Sequence, residues 1–222
     1  MTTTLERPVP EPAHPVDRGD EFAVEATEHN PGRNLPQRVG AALWGPMFAM
    51  ALMAFAAGMI LAIVRADIIS DRDPADADTI LILKHLTAAA IFLGFASVFS
   101  AITFAVAKIL GEFRSGGGSV QESLHADEVQ TLKMPLTAKG MLVFMMMGMM
   151  AILGGVIGHV VVAAGIDNTP ADLLDGEQAF IVLQGIRRFG VVLFLVGIAL
   201  GLTTIIRVLR FQAVRIREVT GA

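Results

Sequence analysis

An all-α integral membrane protein with four transmembrane helices is the fold class this sequence predicts. Three observations predict it. The 222 residues are 54% hydrophobic and only 17% charged, with a mean hydropathy of +0.62; a soluble domain carries about 25% charged residues. The apolar residues are gathered into four long runs. The second half of the chain also matches the first at a fixed offset, as expected of two parallel helical-hairpin repeats.

The runs are 39–64, 86–107, 140–166 and 189–206. The third is broken only by His159; Lys84 and His85 precede the second, and Arg187 and Arg188 the fourth. Each approaches or exceeds the roughly 20 residues that cross a hydrocarbon core of about 30 Å as a helix. Barrel strands would be about 10 residues long with alternating polarity, which these runs lack. The expected organisation is a disordered polar tail over 1–33, a two-helix repeat over 34–112, a linker over 113–133, a second two-helix repeat over 134–212 and a basic C-terminus over 213–222.

The tail reading rests on Pro8, Pro10, Pro12, Pro15 and Pro31 among acids such as Glu6, Glu11, Glu25 and Glu28, a composition that cannot bury enough apolar surface to order itself. The first apolar run begins too late for a signal peptide. In the linker, Ser115-Gly116-Gly117-Gly118-Ser119 reads as a flexible hinge. It is not a phosphate loop, because no Lys-Ser/Thr pair follows the glycines. Beyond it, Val120, Leu124, Val129 and Leu132 suggest one side of a short interfacial helix.

Orientation follows from the basic residues. Arg33, Arg38, Lys108, Arg114, Lys133, Lys139, Arg207, Arg210, Arg215 and Arg217 flank the spans at one end; Arg65, Arg72, Lys84, Arg187 and Arg188 flank them at the other. Ten against five places both termini and the linker in the cytoplasm and the two acidic loops outside, in the cell membrane. The net charge of -4 gives no basic face for nucleic acid.

Shifted by 100 residues, Gly40 falls on Gly140, Met50-Ala51 on Met150-Ala151, Gly58 on Gly158 and Thr103 on Thr203. Small residues four apart recur in the same register: Ala54 and Gly58, Ser97 and Ala101, Gly154 and Gly158, Gly197 and Gly201. Such pairs let two backbones approach closely, so all eight are expected at helix–helix contacts.

With no cysteine in the chain, disulfides, thiolate metal sites and thiol nucleophiles are excluded. His159 is the titratable residue well inside an apolar run, which makes it a functional candidate; the plainer reading is a neutral imidazole bonded to a neighbouring helix. His85 is expected at a similar depth on another helix, so the two form a candidate axial pair for haem b. Arg187 and Arg188, near the same level, would then face propionates or a quinone carbonyl, unless they snorkel to the headgroups. Met141, Met145 and Met149 form a stripe at helical spacing that suits Cu(I) on softness alone but suits flexible packing better. The acidic outer loops lack the spacing of a calcium loop.

No catalytic motif stands out. The leading expectation is a non-catalytic accessory or scaffold subunit of a membrane complex, with the bilayer and other membrane subunits, or further copies of itself, as partners. The alternatives are an electron-transfer subunit holding haem b or quinone near the outer face, and a small transporter.

Overall fold

The four apolar runs become four helices in a computed structural model that describes residues 22–71 and 73–220. They are α1 (Leu35–Asp71), α2 (Ala77–Ser123), α3 (Leu136–Ala164) and α4 (Pro170–Thr220). Each is long and apolar enough to cross a membrane; even α3, with 29 residues, is about 43 Å long. Residues 1–21, most of the expected disordered tail, lie outside the described residues, as does Arg72.

Local chemistry sets the helix ends. Asn34 and Gln37 cap α1 reciprocally: the Gln37 N–H donates to Asn34 Oδ1 (3.1 Å) and the Asn34 N–H to Gln37 Oε1 (2.9 Å), as in a capping box. Asp73 Oδ1 accepts from the Ala75 N–H and opens a 3-10 turn, Pro74–Asp76, that leads into α2. Thr169 Oγ1 accepts from the Asp172 N–H at the start of α4, where Pro170 is the first residue and gives up no intrahelical bond.

α1 packs along α2, and α3 along α4, as two hairpins side by side. α2 is the central helix, because it also packs on both α3 and α4; α1 has no interface of comparable extent with either. The core between α2, α3 and α4 is built from Phe92, Phe99, Val106, Met141, Met145, Ile152 and Phe194. Phe99 and Phe194 stack with centroids 4.6 Å apart.

The small residues divide. Ala54, Gly58, Ser97, Ala101, Gly197 and Gly201 are buried. A Cβ on Gly58 would come within 2.9 Å of Ile91, one on Gly158 within 2.5 Å of Leu183, one on Gly197 within 3.0 Å of Met145 and one on Gly201 within 2.8 Å of Met141. Gly154 corrects the expectation: a Cβ there would meet open space. The inward face of α3 instead runs through Met141, Met145, Gly148, Ile152, Gly155 and His159, and Gly154 is rotated about 100° away from Gly155. Met141 and Met145 pack on the glycine face of α4, while Met149 faces α2, where Ser100 Oγ lies 3.9 Å from its Sδ.

The end carrying both termini departs most from expectation. Residues 22–33, assigned by composition to the disordered tail, include strand β1 (Val24–Thr27), which pairs antiparallel with β2 (Val129–Leu132). Val129 and Leu132 therefore belong to a strand, and no interfacial helix forms there. The Ser115–Ser119 segment is not a hinge but a continuous part of α2. Its glycines make room for neighbours: Gly118 for the side chain of Asn30 and Gly117 for that of Gln212. Asn30 Nδ2 donates to Ser115 O (2.8 Å), and Gln121 clamps β2 through two bonds to the Gln130 backbone, each 2.9 Å.

Candidate functional site

His85 on α2 and His159 on α3 meet. Both rings are fully buried, and their Nδ1 atoms lie 2.8 Å apart. His85 Nε2 faces the carbonyl oxygen of Gly176 on α4 at 3.1 Å. A carbonyl only accepts, so His85 Nε2 donates to it. For two neutral rings the remaining roles follow: His159 Nδ1 donates to His85 Nδ1, and His159 Nε2 is left as a bare acceptor. That atom has no partner among the described residues.

Aromatic rings enclose the pair. Phe180 lies 5.3 Å from both imidazole centroids, and Phe92 lies 5.1 Å from that of His159. The Arg187 guanidinium sits over the Phe92 ring at 4.3 Å and donates to Gln184 Oε1 at 3.2 Å. Arg188 is exposed. Lys84 forms an ion pair with Glu177 and lies over Phe180 at 4.3 Å. Neither Gly176, Glu177 nor the two phenylalanines stood out in the sequence. The one signal for Glu177 in the sequence is its acidic charge ahead of the apolar run 189–206.

The expectation of a bis-histidine haem meets a geometric correction. Two axial nitrogens on one iron stand about 4 Å apart, twice a metal–nitrogen bond of about 2 Å. Here the facing nitrogens bond each other at 2.8 Å, the ring centroids are 4.9 Å apart, and phenylalanine edges fill the flanks. A porphyrin does not fit between these rings. No group of three or more His, Cys, Asp or Glu among the described residues is placed to hold a metal ion. What the arrangement does is join three helices through one polar chain, from α3 to α2 to α4. Buried polar groups in lipid must find internal partners, and model interhelical hydrogen bonds contribute about 1 kcal/mol each.

The polar residues near mid-depth are spent locally. Ser97 donates to Leu93 O, Ser100 to Ala96 O and Thr103 to Phe99 O, each one turn back on α2. These are backbone bonds of the serine and threonine kind. No family model, curated protein or solved structure matches this chain. The molecule is a multi-pass membrane protein by the length and composition of the four helices among the described residues.

Proposed function

We propose that the chain is a non-catalytic accessory or scaffold subunit of a membrane complex, set in the cell membrane with both termini cytoplasmic. The observation that carries this reading is the filled interior. From the histidine pair to Met145, aromatic, isoleucine and methionine side chains close the space between α2, α3 and α4, and His85 and His159 bond helix to helix. A scaffold needs a fixed shape more than a reactive group. The basic bias at the termini end supports the orientation. A partner, another subunit or a second copy, would lie on the flank of α1 away from α2, where Phe48, Leu52, Met59 and Ile63 are exposed.

A quinone-binding subunit is the second reading. It has one observation in its favour, the bare acceptor at His159 Nε2, which a quinol hydroxyl would satisfy. Transport draws no support, since the serines and threonines near mid-depth bond their own helix.

Native mass spectrometry of the protein extracted in mild detergent tests the proposal. A stoichiometric assembly, with other subunits or with itself, is the expected result. A lone monomer would refute it, and a co-purifying quinone lost on His159→Phe substitution would favour the second reading.

A further inference from the structure

At the termini end, away from the histidine pair, a cavity of about 170 Å³ lies among all four helices and β2. Its walls are mostly apolar, from Leu110, Leu132, Met134, Met141, Leu142 and Val208. Three further lining residues hold polar atoms that are buried and have no partner among the described residues: Arg114 Nε and Thr131 Oγ1, which can donate, and Gln212 Oε1, which accepts. Thr131 is only 2% exposed. A buried donor without an acceptor costs about 1–3 kcal/mol, so two on one small cavity call for an acceptor.

The charge around the cavity says what kind. The nearest carboxylate to the Arg114 guanidinium is Glu25 on β1, at 3.8 Å, too long for a hydrogen bond, and Glu25 is half exposed. α1 and α3 both begin at this end, and Pro36, Gln37, Pro135 and Ala138 from their first turns line the cavity. Neither first turn contains an acid, and α3 has no side-chain cap. Two positive dipole ends therefore converge with a guanidinium on one apolar space.

We propose that this cavity holds the phosphate of an anionic phospholipid. Arg114 Nε and the Thr131 hydroxyl donate to its oxygens, and an acyl chain leaves sideways between α1 and α3. Three features fit that ligand together. The donors and dipoles suit an oxyanion, the apolar lining suits a chain, and α1 and α3 share no extensive interface, which suits a lateral exit to the bilayer. Basic pockets between helices at a membrane surface recognise anionic headgroups for the same reasons.

The experiment uses the full chain in mixed micelles of mild detergent with equimolar phosphatidylglycerol and phosphatidylcholine, and native mass spectrometry counts the lipids retained. The expected result is one retained phosphatidylglycerol, favoured over phosphatidylcholine about fivefold or more, on the order of the attraction of one basic side chain for an anionic surface. Arg114→Gln should bring the ratio close to one, and Thr131→Val should lower it. Glu25→Gln, which removes the competing carboxylate and keeps the guanidinium, should preserve or raise it. Excess inorganic phosphate should not displace the lipid. No preference in the parent protein would overturn the proposal, as would a preference that survives Arg114→Gln. Displacement by inorganic phosphate would overturn the lipid as the source of the phosphate. If Arg114→Gln does not fold, a ratio lowered by Thr131→Val and not by Glu25→Gln carries the test, and a ratio lowered by both or by neither would overturn it.

Discussion

Alanine at Gly190 and at Gly154 should move stability in opposite directions, although both glycines lie within membrane-spanning helices. A Cβ on Gly190 would stand 2.7 Å from Ile152 Cγ1, 3.2 Å from Ala151 Cβ and 3.2 Å from the Gly148 carbonyl oxygen. Ile152 has no exposed surface, and the other two contacts are on or next to the α3 backbone, so no flexible side chain can absorb the methyl group. Overpacking of this kind costs about 1–3 kcal/mol. A Cβ on Gly154 meets nothing within 4 Å. Both substitutions gain the same helix propensity, about 1 kcal/mol over glycine, and this cancels in the comparison. Gly190→Ala should therefore be less stable than Gly154→Ala by about 1–3 kcal/mol. Equilibrium unfolding in mixed detergent micelles, followed by helix circular dichroism, measures the difference. Equal stabilities, or a Gly154→Ala protein less stable than the parent, would refute the packing of α3 on α4 described above.

A double-mutant cycle of His85→Ala and His159→Ala should return a coupling of about 0.5–1.5 kcal/mol; additive losses would show that the two rings do not bond. Gln121→Leu should free β2 from its clamp, so amide exchange over 129–132 should quicken while α3 stays protected; unchanged exchange there would count against the clamp. Reporter fusions after residues 33, 120 and 222 should report the cytoplasm and those after 75 and 172 the outside, and an external signal from 120 would reverse the orientation. Asn30→Ala should expose the 115–119 turn of α2 to protease, because the side chain that bonds Ser115 O and Ser119 Oγ is removed; equal resistance would mean that the helix holds without it.

The number of helices and the level of His85 and His159 were legible because length and charge mark depth along a membrane helix. Rotation about the helix axis was not legible. In water a polar face marks the outside; in lipid both faces are apolar, so periodicity carries little information. Gly154 and Gly155 differ only by that rotation, and a spacing rule chose the wrong one of the two. The helical Ser115–Ser119 segment was hidden for a different reason. Three glycines in a row disfavour a helix by about 3 kcal/mol against alanine, and what offsets this lies far away in sequence: Asn30 and Gln212, which pack into the space the glycines leave. The strand pair was equally out of reach, since β1 and β2 are four residues each and about 100 apart.

The two hairpins that the offset of 100 residues sets against each other do not pack symmetrically. Within each hairpin only the pairing of helices corresponds: Gly40 and Gly58 meet α2 and Gly140 and Gly158 meet α4, but Gly58 meets Ile91 whereas Gly158 meets Leu183, whose counterpart is Leu83, so the two hairpins differ in register by about two turns. A two-fold arrangement would further need α1 to meet α4 as α3 meets α2. The residues that join α3 to α2 have no equivalents able to do this. The counterpart of His85 is Gly185, which a Cβ would leave in open space. The counterpart of His159 is Met59, 62% exposed, and that of Phe92 is Val192, 55% exposed. One interface thus has a bonded imidazole pair sealed by phenylalanines, and the position that symmetry assigns to its twin has a glycine and two aliphatic side chains turned to the bilayer. α1 packs extensively on α2 only, and the polar chemistry that fixes α3 to α2 is present in one copy only.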